Sequence, residues 1–388
     1  MKNGFTNTNG ICYKSTLYET ICARAFVMLT EIICGVISTG QHFTKSMAQS
    51  VSRNTGRNNS TMRKQTPPFS IQVELNEGCN LGCNFCGLRG MREEGKKPWY
   101  PMTKKTAERI VSEIARVGWN SRIIFSMHGE PTLNPNIIRI IKLFRKALPR
   151  AVMSIMTNGY GIVHGFGEKV DEFENILGRV RALKAAGLND LIIDYYSAKG
   201  DAATIEEKLT KLDTDIDIQH LAPGVPLYGN SSRKFRVLFN PPIQKEGAIN
   251  RHLCNHCGAA GPLDMSYQGK RCARPFRELS LRYDGSVAIC CNDFRGEYPI
   301  GNIMEQEIDE IWYSKRFEAA RILLYAGKRS FKPCLGCNAL SHRVGLLPDM
   351  KGQEDMPEAT DEILAFAKKV SKNSEPLCKT LYKRPWEE

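Results

Sequence analysis

Glu77-Gly78-Cys79-Asn80-Leu81-Gly82-Cys83-Asn84-Phe85-Cys86 is the stretch on which the reading of this chain turns. Three thiols stand within eight residues, separated by three residues and then by two, on a loop that carries Gly78 and Gly82. A structural zinc site usually pairs two close ligands with two from elsewhere, so three on one short loop is the wrong grouping for it. Three thiolates on a four-iron cluster leave one iron open, and an open iron can bind and reduce a ligand. A zinc loop or scattered thiols is the plainer alternative, and the segments around the loop decide against it.

Ser70 to Leu75, just before the loop, alternates like a strand. Arg122 to Met127, Val152 to Met156, Leu191 to Tyr195 and Phe235 to Phe239 are further short apolar or β-branched runs. Helical patterns lie between them: Ile110, Val111 and Ile114 behind Thr103 as N-cap, then Ile137, Ile141 and Phe144 behind Asn134. A third carries Val170, Phe173, Leu177 and Val180 and stops near Gly187. Strand–helix alternation predicts an α/β fold with a parallel sheet. About five such strands fit before Pro241, which predicts a partial, truncated β/α barrel rather than a closed eight-fold one.

His128-Gly129-Glu130-Pro131 follows the second run, Thr157-Asn158-Gly159 follows the third, and Asp194-Tyr195-Tyr196-Ser197 ends the fourth. Each alone is a commonplace turn or cap. Their shared position carries the weight, because the carboxyl ends of parallel barrel strands open on one face and would bring all three beside Cys79 to Cys86.

The cysteine spacing, with Phe85 before the last thiol, together with these strand-end segments resembles the radical S-adenosylmethionine (SAM) superfamily. The resemblance implies that Cys79, Cys83 and Cys86 hold a [4Fe-4S] cluster with Phe85 in the cofactor site. It also implies that Gly129, Glu130 and Pro131 bind the amino group of SAM, and that Asn158 and Ser197 contact its ribose. The implied chemistry is reductive cleavage of SAM to a 5′-deoxyadenosyl radical, which takes a hydrogen atom from the substrate, with the electron drawn from a flavodoxin- or ferredoxin-type donor.

A second set of cysteines lies downstream. Cys272 and Cys290 flank a hairpin signal at Asp284-Gly285, and Cys334 and Cys337 follow a helix near Ile308 to Leu324. Four thiolates suit a closed cluster, and a zinc knuckle is the alternative. This stretch resembles the SPASM and twitch auxiliary domains of the superfamily, which implies an auxiliary [4Fe-4S] cluster on Cys272, Cys290, Cys334 and Cys337. A SPASM domain would place a further cysteine at 343, where this chain has Arg, so one auxiliary cluster is expected. The spacing is similar to that of twitch-domain alcohol dehydrogenases of aminoglycoside biosynthesis. Cys254 and Cys257 have ligand-like spacing and stay unassigned, while Cys291 reads as a neighbour of Cys290 rather than a ligand.

The expected organisation is a basic extension over 1–69, a partial barrel over 70–249, an auxiliary domain over 250–342 and a C-terminal extension over 343–388 with a surface helix from Pro357 to Ser371. The chain has 388 residues, 54 Lys+Arg against 41 Asp+Glu and 14 Cys. Its 42% hydrophobic content excludes wholesale disorder. The most apolar stretch, Ile21 to Ile37, is broken by Arg24 and Glu31, so no membrane anchor is expected. An intracellular, cytoplasmic location follows, where thiols stay reduced and serve metals rather than disulfides. Eight basic and two acidic residues fall in 1–69, so much of the net +13 belongs to that extension. The remaining basic character favours a polar or anionic substrate, nucleotides and nucleic acids among them, although solvated Lys and Arg explain it as well. Oxidation or rearrangement by an oxidoreductase or isomerase, peptide maturation, and dehydrogenation of a small polyol or amino sugar are the enzymatic readings. A metal-binding nucleic-acid scaffold would explain charge and cysteines but not His128 to Pro131 or Thr157 to Gly159.

Overall fold

The computed structural model describes residues 66–93, 99–168, 173–196, 200–212, 215–221, 234–240, 254–339 and 360–372. Most of the basic extension, Val170, Ser197 and Cys378 lie outside the described residues.

The chain enters through β1 (Ser70–Val73), makes a short β2 (Asn76–Glu77), and passes the cysteine loop into α1 (Gly87–Glu93). A second short strand, β3 (Tyr100–Pro101), pairs antiparallel with β2. Alternation then sets in with α2 (Lys104–Val117), β4 (Arg122–Ile124), α3 (Ile137–Ala147) and β5 (Met153–Thr157). It continues through α4 (Tyr160–His164), α5 (Ile176–Ala186), β6 (Asp190–Ile193), α6 (Asp201–Thr210), β7 (Asp217–His220) and β8 (Arg236–Phe239). The strands before residue 241 that join the main sheet run parallel in the order β1-β4-β5-β6-β8-β7. This is the partial barrel with one strand more than expected. That strand, β7, reads Asp-Ile-Gln-His and lies on the sheet edge with mostly exposed side chains, so it has no apolar run to betray it.

Local chemistry accounts for the helix limits. Thr103 Oγ1 accepts from Thr106 N at 3.1 Å to start α2, and Gly118 in the left-handed region (φ 67°) ends it. Ile110, Val111 and Ile114 are buried as their spacing predicts. Asn175 caps α5, which ends at Gly187 (φ 100°). Asn134 does not cap α3. Its side chain is buried, accepting from Asn136 N at 2.8 Å and donating to the carbonyls of Leu75 (2.7 Å) and Met102 (3.0 Å). It thereby ties the end of β1 to the segment entering α2.

Downstream, α7 (Arg274–Arg277) leads into β9 (Glu278–Leu281), the turn at Asp284-Gly285 (Gly285 φ 90°), β10 (Ser286–Ala288) and β11 (Pro299–Asn302). This hairpin continues the barrel sheet: β9 pairs parallel with β1, in register Ser70 with Glu278. The helix expected from Ile308 to Leu324 is two, α8 (Ile308–Trp312) and α9 (Lys315–Tyr325), because Ser314 Oγ accepts from Phe317 N and restarts the helix. The C-terminal helix, α10 (Asp361–Lys372), buries Ala367 and Val370 against the core rather than lying wholly on the surface.

Asn134→Ala leaves the Met102 carbonyl without this donor, while the Leu75 carbonyl keeps the Met102 amide. It is expected to cost about 1–3 kcal/mol for each buried group left unpaired, read as a lower urea midpoint; an unchanged midpoint would contradict the role given to Asn134.

Candidate active site

The cysteine loop emerges at the carboxyl end of β1, with Cys79, Cys83 and Cys86 part-exposed and all three thiols free. Cys86 N donates to Cys83 O, and Arg92, one turn into α1, donates to the carbonyls of Leu81 and Cys79. The helix behind the loop is seated by small residues: a Cβ on Gly87 would lie 2.5 Å from the Phe294 ring, and one on Gly90 would lie 2.6 Å from Ala259 O.

Gly129, Glu130 and Pro131 follow β4. Gly129 admits no side chain, since a Cβ there would lie 2.0 Å from Asn76 O and 2.5 Å from Gly78 O, and Glu130 N donates to Gly78 O at 2.8 Å. The close approach puts Glu130 beside the cysteine loop. Its buried carboxylate accepts from Thr132 N (3.0 Å), Thr132 Oγ1 (2.6 Å), Thr157 Oγ1 (2.5 Å) and Asn158 N (2.8 Å). All these donors are neutral, and among the described residues no cation is paired with it. Burial pushes the carboxyl up, and the four hydrogen bonds oppose that. A buried carboxylate in this state suits a ligand ammonium, so the site fits the amino group of SAM. Asn158 Nδ2 points to Cys79 Sγ (3.6 Å) and Asn80 Oδ1 (3.0 Å), which places it on the cysteine loop itself.

Beyond β6, two residues of the Asp194–Ser197 segment that had been given no cofactor role complete this face. Asp194 accepts from Asn240 Nδ2 and, at 3.4 Å, from Tyr196 Oη. Burial pushes the Asp194 carboxyl up to about 6, against the pull of the Asn240 bond. The Tyr196 ring lies parallel to Phe85, with centroids 6.1 Å apart and planes within 9°. Phe85, chosen from its place before Cys86, is thus half of an aromatic pair. Ser197, the expected ribose contact, lies outside the described residues.

Behind the loop is a buried ionic group. Arg282, at the end of β9, meets Glu77 directly and stands 3.9 Å from Glu74, whose other oxygen is 3.0 Å from His128 Nδ1. His128 Nε2 donates to Cys291 O at 2.9 Å. Burial alone would raise Glu74; Arg282 and His128 outweigh it and hold the carboxyl below its usual range.

The second thiol set lies past this group. Cys272, Cys290, Cys334 and Cys337 are all buried, and each lies within electrostatic reach of others in the set. Burial pushes Cys272 up to about 11 and, on the exposed loop, burial and then Glu130 push Cys79 up to about 12. The Cys257 hydrogen bond pulls Cys337 the other way, down to about 6, and thiols crowded in this manner suit a metal that takes their protons, so both sets fit iron–sulfur ligation. Cys291, expected to be a bystander, turns from the set to accept from Arg274 Nη1 at 2.8 Å.

The pattern of the radical SAM superfamily matches residues 73–195, and that of the SPASM iron-sulfur cluster-binding domain matches residues 272–338. The chain belongs to the radical SAM superfamily. The two regions bring with them SAM, a [4Fe-4S] cluster and an auxiliary iron–sulfur cluster. The S-adenosyl-L-methionine-dependent 2-deoxy-scyllo-inosamine dehydrogenase of Niallia circulans is 25% identical to this radical SAM chain over 273 residues, 70% of this chain and 93% of its own. A probable GTP 3',8-cyclase of Thermoplasma volcanium is 33% identical, over 33% of this chain and 45% of its own. The crystal structure of BtrN in complex with AdoMet and 2-DOIA superposes with a TM-score of 0.53 at 22% identity, covering 71% of this chain and 95% of that one, a likeness of fold. Among the described residues no helix is long and apolar enough to cross a membrane.

Glu130→Gln keeps the side-chain volume and removes the charge. SAM affinity, measured anaerobically by equilibrium dialysis, is expected to fall at least about tenfold, or about 1.4 kcal/mol; full retention would separate Glu130 from the ammonium site.

Proposed function

We propose that this radical SAM enzyme carries out a two-electron oxidation at a hydroxyl-bearing carbon of a small polar substrate. The observation that supports this most is the extent of one match: the Niallia circulans dehydrogenase is covered over 93% of its own length. In this reading Cys79, Cys83 and Cys86 hold the SAM-binding cluster, and Cys272, Cys290, Cys334 and Cys337 belong to the auxiliary site. When bound, SAM with its cluster supplies a hydrogen-abstracting 5′-deoxyadenosyl radical and the auxiliary cluster an acceptor for the remaining electron.

The chain's own residues provide placement. Glu130 receives the ammonium, and Thr132, Thr157 and Asn158 hold its carboxylate in one orientation. Asn158 and Arg92 fix the cysteine loop against the strand ends. Phe85 and Tyr196 offer flat apolar faces beside it, and Asp194 is a carboxyl that burial pushes up to about 6. The reducing electron comes from a flavodoxin- or ferredoxin-type donor. A nucleotide substrate is the second reading, supported by the match to the GTP 3',8-cyclase, which is confined to less than half of that protein.

Anaerobically reconstituted protein with dithionite and SAM is expected to release 5′-deoxyadenosine, and Cys83→Ala to abolish the release; a full yield from that variant would sink the assignment. With 2-deoxy-scyllo-inosamine and GTP offered in parallel, a ketone formed in step with 5′-deoxyadenosine supports oxidation of the cyclitol class. Consumption of GTP alone selects the nucleotide reading.

A further inference from the structure

We propose that Cys257, which lies outside the matched 272–338 region, is a ligand of the auxiliary iron–sulfur cluster. The inference rests on the auxiliary site read above and adds a member to it.

The Cys257 side chain is buried and packs with Cys337, Ala339 and Cys254. Its thiol is within hydrogen-bonding reach of the Cys290 thiol of the hairpin and of the Cys337 thiol, against which it packs. Two features of the surrounding chain hold it there. Asn255 N donates to Asn338 Oδ1 at 2.7 Å, Asn338 N returns a bond to Asn255 Oδ1 at 3.3 Å, and Asn255 Nδ2 donates to Gly336 O at 2.8 Å. These bonds fasten the Cys254–Gly258 loop to the loop that carries Cys334 and Cys337. The backbone then turns sharply: His256 (φ 45°) and Cys257 (φ 55°) both sit in the left-handed region, and among the described residues they are the non-glycine positions that do so. Two adjacent side-chain-bearing residues held in a disfavoured conformation require compensation from their surroundings, and here the turn aims one thiol at two others.

Cys254 provides the contrast. It too lies within electrostatic reach of Cys337 and Cys290, but its Sγ is 3.4 Å from Asn292 Oδ1 and 3.5 Å from His256 Nδ1, so its hydrogen bonds go to ordinary partners, whereas those of Cys257 go to thiols. Packing five thiols together without a metal would bury polar groups to no advantage. A cluster with four iron corners accounts for the convergence, with Cys257 at one corner and one of the four spaced cysteines released from coordination.

The test uses the full-length Cys79/Cys83/Cys86 triple-alanine chain, reconstituted anaerobically, so that remaining iron reports on the auxiliary site alone. The parent is expected to carry about four iron per chain. Adding C257A should at least halve that iron. C257S, with oxygen in place of sulfur, should retain iron but shift the electron paramagnetic resonance signal of the dithionite-reduced protein. C254A should change neither. An unchanged iron content and spectrum in C257A overturns the assignment, as does an equal loss in C254A, which would show that disturbing the loop is enough. If C257A fails to fold by circular dichroism, C257S decides, and an unshifted spectrum overturns it. A parent without iron removes the auxiliary cluster itself, a result distinct from a parent with iron that C257A leaves untouched.

Discussion

A guanidinium buried between two carboxylates is the joint on which both halves of the site depend. Arg282 is 1% exposed, and Glu74 and Glu77 are fully buried. Taking such a charge out of water costs several kcal/mol, repaid only while its partners stay in place. Those partners follow β1 and lead into the cysteine loop, whereas Arg282 belongs to the hairpin that leads to Cys290. His128 extends the same group to the backbone of Cys291 and stands two residues from Glu130. The first cysteine loop and the hairpin that presents the second thiol set are therefore ordered by one another, and the ionic group cannot be satisfied by either half alone.

The two thiol sets differ in the way that their tasks require. The loop set is part-exposed and rests on glycine-mediated contacts: Gly87 against Phe294 and Gly129 against the backbone of Asn76 and Gly78. A cofactor that enters and leaves needs such access. The second set is enclosed, with Arg329 buried beside it and donating to the carbonyls of Cys337 and Lys270. An enclosed set suits a cluster that stays in place, and low solvent access and nearby buried cations are the levers that set its potential.

Much of the site was legible because its grouping is local in sequence. Three thiols in eight residues, a Gly-Glu-Pro after one strand and an Asn-Gly after the next need only the topology of a parallel sheet to bring them together, and Thr103 announces its helix by residue type. What escaped was long-range or edge-bound. Arg282 is one of 54 basic residues and carries no mark of its burial. Asn134 has the residue type of a cap, yet its side chain spends its hydrogen bonds on two distant carbonyls. Asp194 and Tyr196 were visible as part of a strand end, but their pairing with Asn240 and Phe85 is a fact of three dimensions. The edge strand β7 has no apolar face to show, and Cys257 has only its spacing from Cys254 to mark it, its thiol neighbours Cys290 and Cys337 lying far along the chain.

The pairing of β9 with β1 also bears on how the chain comes to be folded. One flank of the first barrel strand is filled by residues that follow it by about two hundred positions. During synthesis, six parallel strands can assemble while that flank still presents unpaired backbone amides and carbonyls, the kind of edge on which chains adhere to one another. Closing so long a span is slow, since the entropy of the intervening loop is lost before the contact is made. The auxiliary hairpin is thus the cover for the growing sheet as well as a bearer of thiols. A chain that stops before residue 278 would be left with the strand bearing the cysteine loop as an open edge, and expression of the first region alone would meet that exposure as aggregation.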